Sequence, residues 1–134
     1  MKEGPSVEAT GFGIVETTAA AAATGPYSQG VRAAGQLYIS GQLPIDDRSD
    51  AMPARAAEQA AQCLHNIAAI TEAAGLGLDR IAQLTVLLTN IADLAEVNAV
   101  CEEFFEPPYP ARMAFQVVAL PRGAAVEISA VAVE

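Results

Sequence analysis

The sequence contains no tryptophan, a single histidine, two cysteines and few aromatic residues, and each shortage removes a class of function. With His65 as the only histidine, histidine-based triads and multi-histidine metal centres lack their partners. His65 falls inside a helical segment and reads as a surface or helix-packing residue. Cys63 and Cys101 stand far apart, in no metal-ligand spacing, and read as small buried hydrophobes rather than a disulfide. Phosphate-cradling loops are missing as well. Gly11-Phe12-Gly13 is too short for a dinucleotide fingerprint and precedes a strand instead of following one. Chemistry without a metal or a cofactor is therefore expected.

Positive charge is also scarce. Seven lysines and arginines stand against sixteen acidic residues, for a net charge of -9. Nucleic-acid binding draws most of its affinity from basic side chains, so no nucleic-acid partner is expected. The same acidity gives no purchase on an anionic membrane surface. Long apolar runs are absent: nothing approaches the ~18 residues of a membrane span. The opening Met1-Lys2-Glu3-Gly4-Pro5 and the short run Ala19 to Ala23 do not resemble a signal segment. A soluble, cytoplasmic protein is the expectation.

What is present is alanine. Apolar residues make up 52% of the 134 positions, yet aromatics reach only 5%. The length fits one domain, with residues 1–11 as a flexible tail and 12–134 as the folded unit. Alanine buries little area per residue, so the monomer core is thin. Part of the stability is expected from contacts between subunits.

Phe12 to Thr17 reads as a first strand, followed by an alanine-rich connection to Gly25-Pro26. Val31 to Ala33 and Leu37 to Ser40 flank Ala34-Gly35-Gln36 as a hairpin. A helix is expected from Pro53 to Ala74, stopping at Gly75, with Ala57, Ala60, Ala61, Leu64, Ile67 and Ala68 as its buried face. Ile81 to Leu88 alternates as a strand, and Asn90 opens a second helix that ends at Pro107. Arg112 to Leu120 and Ala125 to Val133 close the chain as strands joined across Pro121-Arg122-Gly123.

Alternation along these strands predicts one apolar sheet face that carries both helices. Met113, Phe115 and Val117 point one way, and Arg112, Ala114 and Gln116 the other. The opposite face then mixes Gln83, Thr85, Arg112, Gln116, Glu127 and Ser129, and is either wet or packed on a copy of the protein. On that face a guanidinium at Arg112 can grip a planar carboxylate through two parallel hydrogen bonds. Equally, Arg112 can form a salt bridge to Glu127 or to a neighbour's acid.

Gly25-Pro26-Tyr27-Ser28-Gln29-Gly30 and Leu37-Tyr38-Ile39-Ser40-Gly41-Gln42-Leu43-Pro44 resemble the opening of the RidA family, also called YjgF, of imine deaminases. Glu72-Ala73-Ala74-Gly75-Leu76, Val97-Asn98, Phe104-Phe105, Pro110-Ala111-Arg112, Leu120-Pro121 and Val126-Glu127-Ile128 continue the resemblance in order. It spans residues 12 to 133. The resemblance implies an α+β, chorismate-mutase-like domain: a mixed sheet with two helices packed on one face, assembled as a homotrimer with a cleft at each subunit interface. It implies hydrolysis of 2-aminoacrylate, through its 2-imino acid tautomer, to a 2-keto acid and ammonia. Arg112 matches the family arginine that binds the substrate carboxylate. Tyr27, Ser40, Gly41 and Asn98 match residues around substrate and water. Ala114 replaces a family cysteine, and its backbone carbonyl can still reach the imine nitrogen.

One departure bears on the substrate. The Glu-Ile-Glu-Ala motif of the family is Glu127-Ile128-Ser129-Ala130 here, so Ser129 stands where the resemblance implies a water-directing glutamate. Serine orients water but is a poor base at neutral pH. Glu127 matches the first glutamate of that motif and is no obvious replacement. The alternatives are a different enamine such as 3-aminoacrylate, a longer unsaturated amino acid, or a trimer that only binds small carboxylates. Ribonuclease activity, often attached to the family name, fits neither the charge nor the single histidine.

Overall fold

A computed structural model of the protein describes residues 11–134. The expected tail therefore lies, apart from Gly11, outside the described residues. Strands β1 (Gly13–Val15), β2 (Gly30–Ala33) and β3 (Gln36–Gln42) come first, followed by helix α1 (Ala56–Ala73). Strand β4 (Ile81–Leu88), helix α2 (Leu94–Phe104), β5 (Ala111–Gln116) and β6 (Val126–Val133) complete the chain. The strands form one six-stranded sheet in the order β1-β2-β3-β6-β4-β5. Its pairings are antiparallel except for β4 and β5, which run parallel and need α2 as their crossover. The expected mixed sheet with two packed helices is what the chain builds.

The β2–β3 hairpin closes more tightly than expected. Ala33 pairs directly with Gln36, leaving Ala34 and Gly35 as a loop with positive φ at both residues, 52° and 75°. That is the turn geometry whose twist matches the flanking strands.

Helix α1 starts at Ala56 with Arg55 as its N-cap, so Pro53 precedes the helix instead of opening it. Its buried face is also rotated from the expected one. Ala60, Leu64 and Ile67 are buried as expected, but Ala56, Cys63 and Ile70 join them while Ala57, Ala61 and Ala68 are only half-buried. In a helix so rich in alanine, small residues occur all round and blur the periodic signal. Asn90 behaves as read: its side chain accepts from Ala92 N at 3.0 Å and caps a 3₁₀ turn, Ile91–Asp93, that leads into α2. Strand β1 is shorter than expected, and β5 ends at Gln116 instead of Leu120.

The core lies between the helices and one sheet face, around Leu37, Leu64, Ile67, Ile70, Val86, Leu88, Val97 and Ile128. Two buried polar side chains of α1 tie loops to it. Gln59 accepts from Ala125 N at 2.7 Å and donates to Pro53 O at 2.8 Å. Asn66, with no exposure, donates to Leu43 O and Ile45 O, both at 3.1 Å, and anchors the chain leaving β3. Asn66→Leu should cost about 1–3 kcal/mol of stability, since the carbonyls lose their donor without gaining water. A denaturant melt measures this, and an unchanged midpoint would show that the loop carbonyls find other partners.

Candidate active site

Register decides which face each candidate residue occupies. Leu84, Val86 and Leu88 of β4 are buried against the helices, and they stand opposite Arg112, Ala114 and Gln116 of β5. Thr85 and Leu87, on the open face, stand opposite Met113 and Phe115. The expected faces of β5 are thus reversed. Arg112 and Ala114 lie on the helix side, and Met113 and Phe115 are exposed on the open side, at 54% and 46%. Their hydrophobicity signals burial, but not in this chain's own core. Val117 and fully exposed Val118 follow β5 rather than extend it.

On the helix side, Arg112 Nη1 donates to Asn98 Oδ1 of α2 at 2.6 Å. The alternative pairing with Glu127 does not form, because the two residues occupy opposite faces. Among the described residues the salt bridges are Arg32–Glu134 and Arg122–Asp50, so Arg112 has no carboxylate partner there. It stands at a cavity of about 290 Å³, lined also by Leu84, Asn98, Cys101, Glu102, Phe105, Tyr109 and Pro110. Ala114 is half-buried and packs against the core behind Arg112.

The other candidates gather around β3 and β6. The β3–β6 register slips between Ile39 and Gln42, so Ser40 and Gly41 form an irregularity beside β6. Ser40 donates through Oγ to Ser28 O at 2.5 Å, and its N–H donates to Gln29 O at 2.9 Å. These bonds fasten the strand to the 17–29 loop that carries Tyr27. Buried Gln29 holds the same loop from inside, accepting from Thr17 N at 2.7 Å and donating to Ala21 O at 2.8 Å. Tyr27 itself is exposed, and its hydroxyl accepts from Thr24 N at 3.3 Å.

Gly41 has a steric reason. A Cβ there would sit 3.0 Å from Glu127 Oε2 and 3.1 Å from its carboxyl carbon. The half-buried Glu127 carboxylate lies directly over the Gly41 backbone, without a hydrogen-bond or ion-pair partner among the described residues. Burial pushes its pKa above the usual glutamate value. Beneath it on the core side, Cys63 donates weakly to Val126 O at 3.7 Å. Burial, then the Glu127 charge, pushes that thiol far up, so it stays protonated. Ser129 is half-buried on the same face, opposite Thr85.

The sequence-predicted candidates therefore fall into two groups on opposite faces of the sheet. Arg112 and Asn98 lie on the helix side at the β5 edge, Gly41, Glu127 and Ser129 lie on the open side of β3 and β6, and Ser40 ties β3 to the loop that carries Tyr27. Strands β6 and β4 separate β3 from β5. Sequence reasoning placed Glu127 on the correct face but set it aside. The signal that recovers it is the glycine at 41, which leaves room for a carboxylate.

The sequence model described as endoribonuclease L-PSP matches residues 17–134. The chain belongs to that family. It is the RidA/YjgF family resembled in the sequence. Among relatives in the family, the RutC family protein y4sK of Sinorhizobium fredii is 49% identical over 87% of this chain and 94% of its own. The bovine 2-iminobutanoate/2-iminopropanoate deaminase is 47% identical over 90% of this chain and 89% of its own. The crystal structure of Escherichia coli TdcF with bound serine has a TM-score of 0.88 at 39% identity, covering 91% of this chain and 98% of that one. Among the described residues of this family member, no group of three or more His, Cys, Asp or Glu could hold a metal ion, and no helix is long and apolar enough to cross a membrane.

Proposed function

We propose that the protein is a hydrolytic deaminase of 2-imino acids, the tautomers of reactive enamine carboxylates, and that it works at sites completed between copies in a homotrimer. The observation that carries the reading is Arg112: a guanidinium held by Asn98 at a cavity, with no salt bridge to an acid among the described residues. A small carboxylate is the ligand such a fork accepts. The bovine relative's activity and the serine bound to TdcF point to the same chemical class.

In the proposed reaction Arg112 of one copy holds the carboxylate and Glu127 of another directs water. Glu127 removes a proton as the water oxygen bonds to the imine carbon, and the C=N electron pair moves to nitrogen, which takes up a proton. The resulting carbinolamine expels ammonia as its hydroxyl forms the ketone, leaving a 2-keto acid. Imines are electrophilic, so positioning and one general base suffice. Ser40 holds the strand that brings Gly41 under Glu127. Ser129, beside Glu127, orients water without serving as the base. RNA is no substrate in this reading, because a net charge of -9 offers a polyanion little to bind.

Ammonia release from freshly generated 2-iminopropanoate tests the reading: hydrolysis should run faster with the protein than without it, and equal rates would remove the enzyme.

The trimer rests on the open face. Ile14, Tyr38, Met113 and Phe115 are exposed large hydrophobics spread across it from the β1 edge to the β5 edge, apolar surface that further copies would cover. Light scattering should report a trimer at micromolar concentration. Phe115→Asp should shift it to monomer and abolish hydrolysis together with assembly. A monomeric wild type with full activity would remove the shared site.

A further inference from the structure

Strand β6 carries Glu127, yet β3 covers only part of its length. The β3–β6 pairing ends with Gln42 opposite Ile128. On its other side β6 stays paired to β4, with Leu88 opposite Val126 and Leu87 opposite Glu127. Thr89 N donates to Ala125 O at 3.1 Å on that β4 side, so Val126, one residue on, turns its N–H and C=O the other way. No strand meets them there, and buried backbone groups need partners.

Helix α1 supplies both. Gln59 Oε1 accepts from Val126 N at 3.2 Å and from Ala125 N at 2.7 Å, and Cys63 Sγ donates to Val126 O at 3.7 Å. The two residues are four apart and share one face of the helix. Gln59 Nε2 donates to Pro53 O at 2.8 Å, which fixes the amide with its oxygen toward β6. Both side chains are buried. The effect falls on the next residue. Glu127 leaves the opposite face of β6 and lies over Gly41, so close that a Cβ there would meet Oε2 at 3.0 Å. A fit of that kind tolerates little sliding of the strand.

Resting on the deaminase reading, we propose that Gln59 and Cys63 are positioning residues for the Glu127 base, standing in for the missing strand and fixing the carboxylate over Gly41 from the far side of the sheet. Gln59 is neutral and the Cys63 thiol stays protonated, so replacing either removes no charge near Glu127. Gly41 of β3 and Leu87 of β4, which also pack or pair with Glu127, are uncharged.

Gln59→Met keeps the length of the side chain and removes its acceptor. With assembly checked by light scattering, kcat for 2-iminopropanoate should fall by up to ~10²-fold, the cost of displacing a reacting group by about 1 Å. KM should change little, because Arg112 lies at the β5 edge, beyond β4. Two NMR readouts need no turnover. Amide exchange at Val126 should quicken, and the Glu127 carboxyl should titrate closer to the ordinary ~4.3 as it gains solvent. Cys63→Ala should move the same quantities the same way by less, and it decides the matter if Gln59→Met does not fold. Faster Val126 exchange with kcat and the Glu127 titration unchanged would overturn the proposal, leaving Gln59 as a structural tie. A displaced Glu127 titration in a protein without imine turnover removes the enzyme and keeps the positioning pair. Wild-type turnover that both variants retain in full does the reverse.

Discussion

Arg112→Ala is expected to lower imine hydrolysis by about 10- to 100-fold, the kinetic equivalent of losing a charge-assisted contact of ~1.5–3 kcal/mol. The fold should persist. Arg112 is exposed, and its side-chain partners are Asn98 Oδ1 at 2.6 Å and the Cys101 thiol. Arg112→Lys should rescue little, because an ammonium cannot reproduce the planar fork that matches a carboxylate. Steady-state kinetics on freshly generated 2-iminopropanoate decide the matter, with light scattering to check assembly. If both variants turn over normally, the arginine is structural and the proposed carboxylate clamp is wrong.

Glu127→Gln is expected to cost about 10²–10⁴ in rate, the range of general acid–base contributions. Glutamine keeps the shape over Gly41 but cannot take a proton. Ser129→Ala should cost less than ~10-fold, since a hydroxyl beside the carboxylate orients water without accepting its proton. The pH profile supplies a second readout. Burial favours the neutral form of Glu127, and its pKa lies above the ordinary ~4.3 of a glutamate. The base form is the carboxylate, so the rate should fall as pH drops through that raised value, earlier than for an exposed glutamate. Glu127 packs against Gly41 of β3 and pairs across to Leu87 of β4, with the protonated Cys63 thiol below. Among the described residues of its own chain no cation opposes the shift, and in the proposed trimer the Arg112 of the other copy is offset by the substrate carboxylate it holds. Glu127→Gln should remove this acid limb. A larger loss in Ser129→Ala than in Glu127→Gln would return the water-directing role to position 129.

Sequence periodicity was most reliable where side chains differ strongly. Leu84, Val86 and Leu88 alternate with Gln83, Thr85 and Leu87, and β4 forms over the expected residues with the expected buried face. Asn90, a polar residue before an apolar run, marks a helix start, and its side chain caps the turn there. Helix α1 was harder because alanine occupies both sides, so its buried face was displaced toward Cys63 and Ile70. The ordered motifs were specific enough to place the chain in its family before any coordinates. They did not say that Glu127, the one glutamate of this motif in the chain, stands at the glycine.

By itself the sequence determined the mixed α+β sheet and the helix boundaries to within a few residues. These follow from local preferences and from periodicity along one segment. The tertiary structure alone decided on which side of the sheet each candidate lies. Alternation shows that Arg112 and Met113 point opposite ways, but not which of them meets the helices. That depends on the parallel register of β5 against β4, where Arg112 falls opposite Leu84. Hydrophobicity argued for burying Met113 and Phe115, and the chain leaves them on the open face instead. Apolar surface gains free energy from any cover, whether its own helices or a second copy. Only three-dimensional packing distinguishes the two, and here it separates Arg112 from Glu127 within a single chain.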